Sequence, residues 1–295
     1  MKSSNSVYPQ AAVGHQPVAR RKSKIKIHKV LIHLLLSLGL IFILVPFFWI
    51  LFTSLKNGEE ILRAPPTIWP ERPTVDNYNA VVTMQQFPLF ILNSFIISTL
   101  SMASVLLTSV LGGYAFAKYN FPLKNFFFVL ILTTAIVPFE VYMVSVYVTV
   151  GQLGFFNSYL GIVFPILIMS FGVFFMRQFS LSIPNELLDA ARIDGASELW
   201  ILTTILVPLC ITPLMALGIF AFSEAWAFFI WPLIIVNSRS MFTIELGLMN
   251  FHKKFYMDHG PIAAGAIISI LPMLIVFLIL RRRFIQGITL SGMKI

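Results

Sequence analysis

The chain has 295 residues, of which 58% are hydrophobic and 11% are charged, and its formal net charge is +9. A soluble domain carries about 25% charged residues, so this composition excludes an ordinary soluble enzyme and a disordered protein. The single cysteine, Cys210, can form neither an internal disulfide nor a cysteine-based metal site. The composition is typical of a multi-pass membrane protein, and the length allows about six spans of roughly 20 residues each.

The N-terminal residues 1–27 are polar and carry a basic cluster that includes Arg20, Arg21 and Lys22. Basic residues beside a first span usually face the cytoplasm, so we expect a cytoplasmic basic tail and no nucleic-acid partner. The apolar run from Val30 to Leu55 is too long for the core of a secretory signal and lacks a cleavage site. It predicts a first span that is retained.

Five more apolar runs predict five more spans. The six predicted spans are about 30–55, 90–117, 126–150, 159–179, 201–236 and 262–280. The fifth is too long for one straight crossing, and we expect Pro208, Pro213 and Pro232 to break it. The predicted domains are the basic tail, a transmembrane domain at 28–285 and a cytoplasmic C-terminal tail at 286–295. The fold class is an all-α polytopic membrane protein with six transmembrane helices.

Lysine and arginine residues predict the orientation of these spans. Six spans that start inside place both termini and the segment 180–200 in the cytoplasm, and segments 56–89 and 237–261 outside. Most basic residues fall in the segments placed inside, as the positive-inside rule requires.

No arrangement of residues in the sequence indicates catalysis or metal binding. The five histidines lack the H-x-x-x-H spacing of a helical zinc site, and neither a G-x-S-x-G nor a G-x-x-x-x-G-K-[ST] motif occurs. We therefore expect no catalytic residue and no metal site. A membrane-embedded enzyme and an ion-coupled secondary transporter remain open as alternatives, although the first lacks a nucleophile and the second lacks a clear inverted repeat.

The segment from Ile183 to Trp200 is the longest polar stretch on the predicted cytoplasmic side. Pro184 favours a helix start, and Gly195 can adopt the positive φ that turns the chain back toward the membrane. Small and acidic residues together indicate a docking surface for another protein. They are Ala190, Ala191 and Ala196, and Glu186, Asp189, Asp194 and Glu198. The alternative is an ordinary amphipathic loop.

The spacing within this segment resembles a known motif. Asp189-Ala-Ala is followed after three residues by Gly195, and after nine more by Ile205, which precedes Val207-Pro208. This pattern resembles the EAA motif of ABC importer permeases, with Asp in place of the first Glu and Val in place of the Leu before the proline.

Two further blocks carry the same resemblance. FSEAWAFFIWP at 222–232 and RRRFIQGITLSGMK at the C-terminus are similar to the carbohydrate branch, and in particular to the second permease subunit of maltose-type importers. The resemblance implies the type I ABC importer permease fold, with a cytoplasmic coupling helix in the loop 180–208. It implies a permease subunit in the bacterial cytoplasmic (inner) membrane that forms half of the pore of an ATP-driven sugar or oligosaccharide importer. A glycerol phosphate or an acidic oligosaccharide remains open as the substrate.

The resemblance also implies partners. They are a second permease subunit, two copies of an ABC ATPase subunit and an extracytoplasmic sugar-binding protein, all working in or at membrane lipid. ATP and Mg would be held by the ATPase, so this chain is expected to carry no cofactor and to perform no catalysis. The residues implied to couple it to the ATPase are Glu186, Asp189, Ala190, Ala191, Asp194, Gly195, Ala196 and Pro208.

Two acidic residues lie within the predicted spans. A carboxylate is costly in the hydrocarbon region, so Glu140 and Glu224 are expected to face an interior cavity or a partner. We predict that they hydrogen-bond sugar hydroxyls while Tyr142, Trp226 or Phe228 stacks on the sugar. The alternative is that each carboxylate sits near a membrane boundary or caps a helix. The family often has Asn after the fifth-span tryptophan, and this chain has Ala there, so the family's polar contacts do not carry over.

Overall fold

The computed structural model describes residues 27–84, 86–249 and 258–291, and within them the side chains of residues 29–279. The predicted basic tail and part of the predicted second outer segment lie outside the described residues. The chain divides into two compact units, residues 1–47 and 48–295. The described part of the first unit is the beginning of one helix, α1 (Ile27–Ser54), whose side chains from Lys29 to Phe47 are exposed.

The remaining α-helices belong to the second unit. In chain order they are α2 (Gly58–Ile61), α3 (Asp76–Val82), α4 (Phe87–Lys118), α5 (Lys124–Thr134), α6 (Phe139–Gln152), α7 (Tyr159–Val163), α8 (Ser170–Leu181), α9 (Asn185–Ile193), α10 (Glu198–Trp200), α11 (Val207–Leu209), α12 (Ile211–Trp226), α13 (Ile230–Ile235), α14 (Ile244–Leu248) and α15 (His259–Ser291). In the described parts of the chain, 3₁₀ turns at Phe164–Ile166 and Arg239–Met241 and a π-helical turn at Ile201–Leu206 also lie between these helices. Helix α15 therefore continues into the predicted C-terminal tail.

Six candidate spans can be traced through these helices. Three single helices are long and apolar enough to cross a membrane: Lys29–Ser54, Phe87–Lys118 and His259–Ile279. Three bent pairs pass the same test: Lys124–Thr134 with Phe139–Gln152 (99°), Tyr159–Ile166 with Ser170–Leu181 (55°), and Glu198–Leu209 with Ile211–Trp226 (82°). If each pair is one broken span, the total confirms the six predicted spans and the all-α class.

Proline explains where the pairs break. Pro138 disfavours helical geometry at the residue before it, so the predicted run 126–150 is two helices and not one. Pro165 lies in the 3₁₀ turn that follows α7, and the predicted run 159–179 bends directly after this turn, between Ile166 and Ser170. Pro213 cannot donate to the carbonyl of Leu209, and the fifth run breaks at the intervening Cys210.

Helix α4 is the centre of the second unit and packs against α8 and α12. Small residues allow the close approach of α4 and α8. A Cβ on Gly113 would lie 2.8 Å from the backbone nitrogen of Arg177, and one on Gly172 would lie 2.2 Å from Ser109 Oγ. Glycine at these two positions lets the helix backbones approach closely, as small residues do in other membrane helix pairs.

Helix α14 is held against the N-terminal half of α4. The backbone N–H of Ile244 donates to Ser94 Oγ at 2.8 Å. A Cβ on Gly247 would lie 2.2 Å from the ring of Phe90, so the two helices touch at this glycine. Since α14 also contacts α15, its position is fixed on two sides, and with it the position of Glu245.

Candidate functional site

The candidate coupling helix is α9, which begins directly after Pro184. Leu188 and Ala191 lie three residues apart on one face of α9, and both are buried in a cluster that includes Ile201. Ala191, which was predicted to lie on the docking surface, is 9% exposed and packs on the same face as Leu188, but it also lines the groove beside Gly195, so its role in docking stays a prediction.

The other predicted coupling residues lie at the surface. Glu186, Asp189, Ala190, Asp194, Gly195 and Pro208 are exposed, and Ala196 is half-buried. Pro208 lies in α11, beyond the π-helical turn, and so it is separated in the chain from the α9 turn. The exposed face of α9 also carries apolar residues: Ile193 is 86% exposed and Leu187 is 44% exposed.

Helix α9 ends in a Schellman turn at Gly195. The N–H of Gly195 donates to the carbonyl of Arg192, and the N–H of Ala196 donates to that of Ala191, both at 3.0 Å. Gly195 has φ = +83°, in the left-handed region that favours glycine. No atom lies within 4 Å of a Cβ built at this position, so the backbone conformation rather than lack of space requires glycine.

Five side chains, which we call the Glu198 cluster, join α9 to α10 and to the C-terminal end of α4. Arg192 donates through Nη1 to Asp189 Oδ1 and through Nε to Glu198 Oε1, each at 2.8 Å. The hydroxyl of Tyr114 donates to Glu198 Oε2 at 2.9 Å, and that of Tyr119 donates to the same oxygen. Hydrogen bonding to Glu198 raises the pKa of Arg192, so its positive charge is retained at any physiological pH.

Lys118 attaches the beginning of α9 to the same end of α4. Its Nζ donates to the carbonyl of Ile183 and, at 2.8 Å, to Asn185 Oδ1. Helix α9 is therefore tied to the last turns of α4 at both of its ends. The sequence analysis missed Lys118, Arg192 and the two tyrosines; the spacing of Asp189 and Arg192, three residues apart, was the one available signal.

A groove of about 680 Å³ lies beside the Schellman turn. Its walls include Ala190, Asp194, Ser197 and the exposed ring of Trp200. A partner that contacts α9 thus meets a helix fixed at both ends, with exposed apolar residues and a groove of mixed polarity next to it. Such a surface is suited to docking a protein.

The predicted substrate-path residues fall into two groups. Tyr142 and Phe228 both pack against the ring of Phe139, with ring centroids 5.4 Å apart in each case. Glu140 follows Phe139 in the first turn of α6 and is exposed. The structure therefore brings Tyr142 and Phe228 together around Phe139, with Glu140 next to it in the chain.

Glu224 and Trp226 do not join that group, and they do not share a cavity with each other. Two residues apart on α12, they point about 200° apart around the helix axis. Trp226 is buried toward α15, where its indole N–H donates to the carbonyl of Ser269 at 3.2 Å, whereas Glu224 is exposed. The two side chains therefore lie on nearly opposite faces of α12, and their separate roles in the pathway stay predictions.

A different acidic residue lies beside Trp226. Glu245 of α14 and Trp226 both line a groove of about 570 Å³ bordered by α12, α14 and α15. Burial raises the pKa of the Glu245 carboxyl above its ordinary value, because the charged form loses solvation. The sequence analysis missed this residue, since it placed the segment 237–261 in an outer loop, where an acidic side chain carries no signal.

Comparison with known proteins gives a consistent result across the chain. A family model described as the binding-protein-dependent transport system inner membrane component matches residues 104–289. The arabinooligosaccharides transport system permease protein AraQ of Halalkalibacterium halodurans is 34% identical over 267 residues, which are 88% of this chain and 96% of that protein. The sn-glycerol-3-phosphate transport system permease protein UgpE of Brucella abortus is 29% identical over 265 residues, which are 87% and 94% of the two chains.

A solved structure shares the fold. It is a bacterial ABC transporter involved in the import of the acidic polysaccharide alginate, and one of its chains matches with a TM-score of 0.76 and 20% identity. The match covers 88% of this chain and 96% of that chain. The same helical architecture therefore extends over nearly the whole length of both.

Proposed function

The chain belongs to the family of binding-protein-dependent transport system inner membrane components, and from this premise we propose that α9 couples a sugar pathway in this chain to an ATPase on another chain. The protein is a permease subunit of an ABC importer for sugars, oligosaccharides or glycerol 3-phosphate, and not an enzyme. It is a multi-pass protein of the inner membrane and works with a periplasmic binding protein.

The proposed assembly contains a second permease subunit and two ATPase subunits. The ATPases bind ATP and Mg, and one of them docks on the exposed face of α9. This chain then carries no cofactor of its own. Within it, Glu140, Tyr142, Phe228 and Trp226 are proposed to line or support the sugar pathway, with this chain forming half of the pore.

One observation carries the coupling proposal: α9 is tied at both ends to α4, through Lys118 and through the Glu198 cluster. Its outer face meanwhile exposes Leu187 and Ile193. Helix α9 is fixed to a transmembrane helix on one side and presents apolar residues on the other. It can therefore transmit a movement of a docked protein to the membrane domain.

The proposed orientation places both termini and α9 in the cytoplasm and segment 56–89 outside, on the distribution of basic residues. Introduced cysteines test the orientation and the docking together. Ala190→Cys places a thiol on the exposed face of α9, and Val75→Cys places one on the outer segment, where Val75 is 60% exposed. The natural thiol, Cys210, is buried and gives a low background.

In intact cells, an impermeant maleimide should label Val75→Cys and leave Ala190→Cys unlabelled. In membranes that contain the whole importer, a short bifunctional cross-linker should join Ala190→Cys to the ATPase and fail to join Val75→Cys to it. Labelling of Ala190→Cys from outside would show that the proposed orientation is wrong. Absence of its cross-link in a transport-competent complex would remove α9 from the ATPase interface.

A further inference from the structure

The groove bordered by α12, α14 and α15 combines an apolar wall with a few polar groups. Its walls include Met273, Leu274 and the ring of Trp226, and its polar side chains include Glu245 and Ser269. Its volume of about 570 Å³ lies within the range of roughly 300–1,000 Å³ that is usual for small-molecule sites. Mostly apolar walls with a small number of polar groups are also usual for such sites.

Both of these polar groups lack a partner in the part of the chain that the structure describes. Ser269 is 6% exposed, and its hydroxyl has no hydrogen-bond partner there. The Glu245 carboxylate has neither a hydrogen bond nor an ion pair with any described residue. Four other buried serine hydroxyls share this lack, but none of them lines the groove.

These unpaired polar groups need hydrogen-bond partners that the described residues do not supply. A buried donor or acceptor without a partner is destabilising, and a carboxylate in contact with hydrocarbon is more so. The groove therefore does not simply face lipid at the Glu245 end. Some group with both donors and acceptors must reach it.

We propose that this groove is a sugar-binding subsite of the permease, in which hydroxyls of an uncharged sugar donate to Glu245 and accept from Ser269. Sugar hydroxyls supply both roles, and the C–H faces of a sugar ring suit the apolar wall beside Trp226. A phosphate or a sugar carboxylate is repelled by Glu245, so the subsite selects against anionic substrates. The inference rests on the proposed function of the chain as a sugar pathway and narrows the substrate class.

A basic side chain, from this chain or from another subunit, is the rival occupant. An ammonium or guanidinium group has donors only, so it can satisfy Glu245 but cannot accept the hydroxyl proton of Ser269. A sugar hydroxyl can do both. The presence of a donor and an acceptor at one groove thus favours a hydroxylated ligand.

The first test measures substrate class in proteoliposomes that contain the whole importer and its binding protein. Uptake is compared for arabinotriose, lactose and sn-glycerol 3-phosphate. We expect uptake of an uncharged sugar, a loss of about tenfold in Glu245→Gln, and partial retention in Glu245→Asp, because hydrogen bonds to a charged group contribute more than neutral ones. Glu59→Gln removes the charge of an exposed outer residue and is the matched control, expected to leave uptake unchanged.

The second test detects the sugar at the groove without relying on transport. Ala266, a small half-buried residue, lines the groove one helical turn before Ser269. In the assembled complex, the transported sugar should slow maleimide labelling of Ala266→Cys at least fivefold. The slowing should disappear when Glu245→Ala is added, with the amount of assembled complex measured by size exclusion.

Failure of the proposed subsite and failure of the proposed sugar import give different results. If the unaltered importer takes up none of the three substrates, the proposed sugar function fails. If it takes up only glycerol 3-phosphate, or if an uncharged sugar gives no protection of Ala266→Cys, the subsite is overturned while the importer stands. A basic occupant predicts that Glu245→Gln lowers the amount of complex and that sugar protects nothing, and this result overturns the subsite as well.

Discussion

Two grooves of the second unit are similar in size but differ in the acidic residues near them. Each groove is lined by a tryptophan, Trp200 beside α9 and Trp226 beside α14. Next to the first groove, although not in its lining, Asp189 and Glu198 are hydrogen-bonded to Arg192. At the second, Glu245 has no partner among the described residues. Paired charges fix the shape of a surface, whereas an unpaired carboxylate leaves a binding group available for something that comes and goes.

The ion pairs at α9 hold the helix in position and contribute little to the stability of the fold. Exposed ion pairs contribute about 0–1 kcal/mol each, and the carboxylate side chains of Asp189 and Glu198 are 60% and 46% exposed. Five side chains converge there, yet little folding energy comes from them. Their effect is to hold α9 at a set angle to α4, so disturbing them should alter coupling more than folding.

The largest effect is expected at the Schellman turn. Gly195→Asp puts a residue with a Cβ at φ = +83°, a conformation that costs most L-residues about 1–2 kcal/mol, and it adds charge to the docking surface. Transport should be abolished while the permease remains in the membrane. Uptake and co-purification of the ATPase measure the two steps.

Gly195→Asn is the matched control, because asparagine and aspartate both tolerate the left-handed region better than most residues, so the two variants differ mainly in charge. It should keep a substantial part of both docking and uptake. If Gly195→Asp transported as well as the unaltered chain, the idea of a geometrically fixed docking surface would be wrong. If Asn failed as completely as Asp, the side chain itself rather than its charge would be the cause.

The next largest effect is expected beside the Glu245 groove, at the contact that holds α14 against α4. In Gly247→Ala the new Cβ would lie 2.2 Å from the ring of Phe90, which is fully buried, so α14 must shift. Overpacking of this kind costs about 1–3 kcal/mol, and the shift displaces Glu245. Less assembled complex and lower uptake per complex should result, while the Ala190→Cys cross-link to the ATPase persists.

Gly218→Ala is the control for this change. A Cβ there would have its nearest neighbour at 3.5 Å, an ordinary contact, although the glycine is also within a packed helix. Its complex should assemble and melt like the unaltered one, as followed by thermal unfolding in detergent. Equal stability of the Gly247→Ala and Gly218→Ala complexes would show that α14 is not fixed by Phe90.

A smaller effect is expected from the Glu198 cluster. Glu198→Gln keeps an oxygen that accepts from the tyrosine hydroxyls but loses the charge that pairs with Arg192. We expect uptake per ATP hydrolysed to fall about two- to fivefold, with unchanged amounts of complex, since the pair contributes about 1 kcal/mol or less to stability. Simultaneous measurement of uptake and phosphate release in proteoliposomes gives this ratio.

Glu71→Gln serves as its control, because Glu71 forms a comparable exposed pair with Arg63 in the first outer segment, at 2.7 Å. That variant should leave the ratio unchanged. A proportional fall in ATP hydrolysis and uptake in Glu198→Gln would mean that the cluster supports docking alone. If Glu198→Gln kept full activity and an unchanged uptake per ATP hydrolysed, the Glu198 cluster would have no role in coupling.

The sequence predicted the coupling region better than the groove, and the reason is physical. Local backbone preferences determine where α9 starts, after Pro184, and where it turns, at Gly195. Such preferences can be predicted from a short segment of sequence. The burial of Ala191 depends on which face packs inward, and the partners of Glu198 come from α4, about 80 residues away in the chain. Such long-range contacts leave no pattern in one sequence.

The groove is the clearest case of a site that the sequence could not indicate. Its three helices are separated by connections whose geometry no periodicity specifies. Glu224 was predicted as a candidate because it lies inside an apolar run, whereas Glu245 was not, because it lies in a segment that was expected to be an outer loop. Around a helix, however, residues two apart face nearly opposite directions, so Glu224 cannot follow Trp226 into the groove.

The smallest effect is expected from Glu224 itself. Because Glu224 is exposed and Trp226 is turned toward α15, Glu224→Gln should change uptake per assembled complex by less than about twofold. Protection of Ala266→Cys by sugar should also persist in this variant, whereas Glu245→Gln should weaken both. Both variants remove one negative charge from an acidic residue next to the same tryptophan, either along α12 or across the groove, and so they form a matched pair. A larger loss in Glu224→Gln than in Glu245→Gln would place the sugar pathway on the opposite face of α12, and the contrast between the paired Glu198 cluster and the unpaired Glu245 would then have no functional meaning.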